Sequence, residues 1–136
     1  MEVIHSKCRE NLKLHLIFGI EEMSGRKNLV DEAEFLQVSA LKIASGEFFN
    51  AHMHIFKDVK FQETIAQESW VVMLGLIEVT YYDLDGAILA VKELKAGDCS
   101  ITLQGGHRYE AKLDSLVYEF KSGPYEGQSR DKIMIN

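Results

Sequence analysis

The sequence has little cysteine, almost no proline, and no excess of positive charge. Its only cysteines are Cys8 and Cys99, far apart in the chain, and no C-x-x-C pair exists. That argues against a disulfide framework and against a thiolate zinc site, and it reads both residues as apolar fillers in a reducing compartment. Proline occurs once, at Pro124, and glycine ten times, too few for a linker or a low-complexity region. With 21 acidic and 15 basic residues the net charge is −6. Such a chain lacks the clustered Lys and Arg that a nucleic-acid backbone or an anionic membrane surface requires, so neither is an expected partner. Lys57 and Lys60 come nearest to a basic patch. No apolar run approaches the roughly 18 residues of a membrane span. The opening MEVIHSKCRENLK has no apolar core of the signal-peptide kind, and the expected location is cytoplasmic. There is no internal repeat. A nucleophile elbow of the G-x-S-x-G type is absent, and Gln104-Gly105-Gly106 lacks the spacing of a phosphate loop. Asp83-Leu84-Asp85-Gly86 lacks the further ligands of a calcium loop and reads as a turn.

What is present is an ordinary globular composition, 46% hydrophobic and 26% charged, in 136 residues, which predicts one domain over 1–136. Most of the chain has period two. Leu12, Leu14, Leu16 and Phe18 alternate with Lys13, His15 and Ile17. Phe35, Val38, Leu41 and Ile43 form a less regular run. Residues 70–74 are a continuous apolar run ending at Gly75, and Ile77, Val79 and Tyr81 alternate with Glu78 and Thr80. Residues 82–86 supply an Asp-Gly hairpin turn, and further strands are expected over 87–94, 99–103, 107–113 and 115–121. Residues 132–135 suggest a last edge strand. Short strands at even spacing mark an all-β sandwich or barrel. The one helical candidate, 31–35, is too short to stand alone.

The histidines divide into two groups. His5 and His15 are isolated and carry no pattern. His52 and His54 are two apart, so on a strand both imidazoles project from one face, as adjacent metal ligands must. Glu68 heads an apolar strand and shares a face with Trp70, Val72 and Leu74; a buried carboxylate there needs a partner or a metal. His107 follows the Gly105-Gly106 turn, from which a side chain can reach into a barrel mouth.

Gly46, His52, His54, Glu68 and Gly75 resemble the first motif of the cupin superfamily, and Gly97, Gly105 and His107 resemble its second. The departures are a thirteen-residue gap between His54 and Glu68, Leu103 in place of a proline, one residue missing before His107, and Ala111 where asparagine is usual. Thr64, Gln67-Glu68, Gly105 to His107, and the Gly123-Pro124-Tyr125-Glu126-Gly127 tail with Asp131-Lys132 are similar to a group of small bacterial single-domain cupins. Members of that group are often encoded near genes for surface-polysaccharide synthesis. The resemblance implies a single-domain cupin, a double-stranded β-helix or jelly-roll barrel, with its core at about 35–121. It implies one divalent transition metal (Fe, Zn, Mn, Ni or Co) held by His52, His54, Glu68 and His107.

Strand parity then places Trp70 and Tyr109 in the substrate pocket, Tyr109 as the candidate catalytic residue. Two functions follow as expectations. One is a metal-dependent enzyme acting on a small sugar or sugar derivative. The other is a non-catalytic cupin that binds metal or a small ligand for sensing or regulation. A homodimer is expected, with the strands around residues 3–18 added to a partner's sheet. The loop 55–67 is expected to act as a lid, with Lys57 and Lys60 meeting an anionic ligand, or to pack on the outside of the barrel.

Overall fold

The computed structural model describes residues 1–54, 65–122, 127 and 133–135. Among these the fold is all-β, with one 3-10 turn at Ile20–Glu22. The strands are β1 (Glu2–His5), β2 (Lys13–Phe18), β3 (Arg26–Asn28), β4 (Ser39–Leu41), β5 (Glu68–Leu74), β6 (Leu76–Tyr82), β7 (Ile88–Lys95), β8 (Cys99–Thr102), β9 (Gly106–Ala111) and β10 (Leu116–Lys121). They form a five-stranded sheet in the order β1-β2-β8-β5-β10, a three-stranded sheet β7-β6-β9, and the two-stranded hairpin β3-β4. Every pairing is antiparallel. Among the described residues the sheets do not close into a barrel.

Two cores explain the layering. Leu16, Phe18, Cys99, Ile101 and Leu103 pack with Leu29, Val30 and Ala40, so the hairpin segment covers one face of the five-stranded sheet. Ile4 and Val72 pack with Ile77, Val79, Tyr81 and Leu94, so the three-stranded sheet covers the other. The strand β8 therefore has no solvent face, and β2 is exposed only at its first residue, Lys13. Leu14, Leu16 and Phe18 are buried on one side, and His15 is as fully buried on the other. The β6–β7 turn falls where expected but is a three-residue loop rather than a two-residue one: the Gly86 amide donates to the Asp83 carbonyl at 3.1 Å, the Asp83 amide donates to the Ala87 carbonyl at 2.8 Å, and Gly86 alone takes a positive φ, +83°.

Two expectations are corrected. Residues 133–135 carry no strand. Cys8 is exposed and only Cys99 is buried, so the apolar-filler reading holds for Cys99 alone. Cys8 sits in the β1–β2 connection, which is wrapped around the Asp83 carboxylate. That group accepts from the Ser6 hydroxyl and from the amides of Lys7, Cys8 and Leu84. Burial alone would raise the Asp83 pKa, but these donors hold it far below the usual carboxylate range.

Candidate functional site

The interior between the five- and three-stranded sheets is polar at one end. The inward side chains there are His15 from β2, Glu68 and Trp70 from β5, Ser100 and Thr102 from β8, Tyr81 from β6, and His107 and Tyr109 from β9. Register explains the gathering: Glu68 lies opposite Thr102, Thr102 opposite His15, and Tyr81 opposite His107.

Glu68 Oε1 lies 3.1 Å from His107 Nε2 and accepts the Trp70 indole N–H at 2.8 Å. His107 Nδ1 is 3.1 Å from the Thr102 hydroxyl. The same hydroxyl is 3.1 Å from His15 Nδ1, and His15 Nε2 is 3.2 Å from the Tyr82 carbonyl oxygen. Beside this row Trp70 and Tyr109 stack face to face, 4.0 Å between centroids and 6° from parallel. The Tyr109 hydroxyl is 3.3 Å from Ser100 Oγ, itself 2.8 Å from the Tyr81 hydroxyl. Among the described residues no buried side-chain nitrogen or oxygen lacks a partner.

The electrostatics follow from burial and pairing. Burial raises the Glu68 pKa, but the His107 hydrogen bond and charge, the Trp70 N–H and the Lys121 cation outweigh it and leave it lowered. Burial pushes the Tyr109 phenol well above its ordinary value and the Tyr81 phenol up to about 12. Burial pushes the His15 imidazole down to about 4, against a bond to the Tyr82 carbonyl that favours the charged form. This corner therefore holds an ionised carboxylate, a neutral imidazole and two neutral phenols at neutral pH.

Of the predicted ligands, Glu68 and His107 meet. His52 and His54 do not join them. Both are exposed and lie in a stretch, residues 42–54, without any strand. The shared-face expectation for this pair is thus corrected. A turn at 44–47, closed by the Glu47 amide on the Ala44 carbonyl and by the Ala44 amide on the Glu47 carboxylate, precedes them, and no sheet edge takes up the residues after it. Their rings still lie close, 5.3 Å apart and edge to face. His52 Nδ1 is 2.9 Å from the Asn50 carbonyl and donates to it, which leaves Nε2 as the free lone pair. Among the described residues the only group of three possible metal donors within 4.8 Å of one another is Cys8, Asp83 and Asp85. Residues 55–64 lie outside the described residues, and with them most of the expected lid, including Lys57 and Lys60.

His15, Ser100, Thr102 and Tyr81 belong to the site and were not singled out by sequence. A signal for His15 did exist: it shares parity with Ile17, which a solvent face would not favour. No family model, no curated protein and no solved structure matches the chain. Among the described residues, no helix is long and apolar enough to cross a membrane.

Proposed function

We propose that the chain is a metal-binding cupin-domain protein whose site binds, and in the first reading transforms, a small sugar or sugar derivative. The observation that carries the proposal is the 3.1 Å approach of Glu68 Oε1 to His107 Nε2 next to the Trp70–Tyr109 stack. Two donors bound at right angles to one ion, with bonds of about 2.1 Å, lie about 3 Å apart. His107 also has its second nitrogen engaged by Thr102, as metal-bound histidines usually do. Further support comes from connectivity. The chain alternates between facing sheets (β5, then β6 and β7, then β8, β9 and β10), which is how a jelly roll is wound.

Glu68 and His107 would hold the ion; His52 and His54, exposed and apart from that pair in this structure, would have to swing over to complete a mixed nitrogen and oxygen set suited to Fe, Mn, Ni, Co or Zn. The ion would supply Lewis-acid or redox chemistry. The chain's own part is to keep Glu68 ionised, to fix His107, and to offer the Trp70 and Tyr109 rings as an apolar wall for a sugar face. A second reading is a non-catalytic binding module. It is favoured by Tyr109, whose phenol is held neutral by burial and engaged with Ser100 rather than poised to give up a proton. A homodimer remains part of the proposal. It is supported by β1 and β10, which among the described residues lie at the edges of the five-stranded sheet with one neighbour each.

Elemental analysis of protein purified without chelators tests the reading. The expected result is about one divalent metal per chain, lost in Glu68→Ala and in His107→Ala and reduced in the His52→Ala/His54→Ala double variant. No metal in the unsubstituted protein, or full occupancy in Glu68→Ala, overturns it. Turnover of sugar phosphates or nucleotide sugars by the loaded protein then separates enzyme from binding module.

A further inference from the structure

Two imidazoles converge on one hydroxyl. Thr102 Oγ1 lies 3.1 Å from Nδ1 of His15 and 3.1 Å from Nδ1 of His107. A hydroxyl owns one proton, so it donates to one ring and must accept from the other. The Tyr82 carbonyl decides which. That oxygen can only accept, so His15 carries a proton on Nε2, 3.2 Å away. His15 has no exposed surface, and its bonded partners are a hydroxyl and a carbonyl rather than a carboxylate, so its ring stays neutral and its Nδ1 is a lone pair. The Thr102 hydroxyl therefore donates to His15 and accepts from His107 Nδ1–H. With Nδ1–H engaged by Thr102, the His107 nitrogen that meets Glu68 Oε1, at 3.1 Å, is Nε2. A hydrogen atom on Nε2, or a cation in its place, would join the two.

We propose that the Tyr82 carbonyl, His15 and Thr102 form a relay that fixes the tautomer of His107 and aims its Nε2, together with Glu68, at one shared cation. His15 and Thr102 are thus positioning residues for the ion-binding pair. That the pair takes up a cation, a divalent metal, rests on the function proposed above; the direction of the relay does not. Partners of this kind are worth about 10–100-fold in metal affinity.

The test is a long-range proton–nitrogen correlation spectrum of uniformly nitrogen-15-labelled, chelator-treated protein at pH about 7.5, with His15→Gln and His107→Gln giving the assignments. The expected spectrum has the His15 proton on Nε2 and a proton on His107 Nδ1. Thr102→Val removes the hydroxyl and keeps the shape. In that variant His107 should lose its Nδ1 preference, and Zn(II) affinity, measured by competition with a chromophoric chelator, should fall about 10–100-fold. Thr102→Ser should restore both. A wild-type His107 with a bare Nδ1 overturns the relay, as does a Thr102→Val protein that keeps the wild-type tautomer. If Thr102→Val does not fold, the wild-type spectrum alone decides the direction. Failure of the wild-type protein to bind Zn(II) would sink the metal reading while leaving the spectra to judge the relay.

Discussion

His15 makes the stability of the protein depend on pH in a way that one substitution can isolate. Its ring is wholly buried on β2, and burial lowers its pKa from an ordinary 6.5 to about 4. In the unfolded chain the same ring titrates near 6.5. Between these values the unfolded state takes up a proton that the native state refuses, so acid favours unfolding. The contribution is fully present above the unfolded value, drains away as pH falls through the window, and is exhausted below the folded value. Each unit is worth about 1.4 kcal/mol. At pH about 4.5 the native state has therefore lost about 2–3 kcal/mol, a large part of the roughly 5–15 kcal/mol that holds a domain together.

Urea denaturation followed by the fluorescence of Trp70, the only tryptophan, measures this directly. The comparison is between the wild type and His15→Gln, each at pH about 7.5 and about 4.5. Glutamine can still donate to the Tyr82 carbonyl and accept from Thr102, but it does not titrate. Carboxylates with lowered values, Glu68 and Asp83, lose their contributions at lower pH and do so in both proteins. Wild type should lose about 2–3 kcal/mol more than the variant over this range. Parallel losses in the two proteins would refute the claim that His15 is held neutral by burial.

Three further outcomes are expected. A double-mutant cycle of Trp70→Leu and Tyr109→Leu, read by urea denaturation, should return a coupling of about 1 kcal/mol for the stacked rings; additive effects would remove the stack. Gly105 has φ +82°, and a Cβ there would lie 2.6 Å from the Tyr82 carbonyl oxygen and 3.2 Å from His15 Nε2. Gly105→Ala should therefore cost about 2 kcal/mol and lower the melting temperature by roughly 5–10 °C, and an unchanged melting temperature would count against the close approach. Light scattering should give twice the chain mass of 15.5 kDa, and a value at 15.5 kDa would refute the dimer.

The strand pattern was legible wherever antiparallel neighbours were joined by short turns. The runs read over 70–74, 77–81, 87–94, 99–103, 107–113 and 115–121 fall within a residue or two of β5 to β10. There most strands alternate or carry a long apolar run, and glycine marks four of the five turns between them. The reading weakened between β2 and β5. Arg26, Lys27 and Asn28 form β3 without apolar alternation, because this hairpin is held by its partner β4 and by neighbours such as Leu29 and Val30 that pack on the large sheet. Phe35 and Ile43 looked like strand residues and are exposed. Local sequence carries no signal for a strand whose hydrophobic support comes from residues outside it.

The candidate site was half legible for a related reason. Glu68 and His107 were found because a charged or titratable group interrupts an apolar context. Thr102 and Ser100 were passed over because Cys99-Ser100-Ile101-Thr102 reads as a strand with one apolar face and one face in water. In the fold β8 is central, between β2 and β5, and all of its residues are buried. Its apolar side, Cys99 and Ile101, meets the hairpin, so its hydroxyl side must face the interior of the protein. The usual rule of polar side out is inverted by the covering hairpin. A hydroxyl brought inside in this way must find partners, and Thr102 finds His15 and His107 while Ser100 finds Tyr81 and Tyr109. The hairpin thus does more than cover a sheet. By taking the apolar face of β8 it turns the hydroxyls of that strand toward the Glu68–His107 pair, and so sets the chemistry of a site on the opposite face of the sheet.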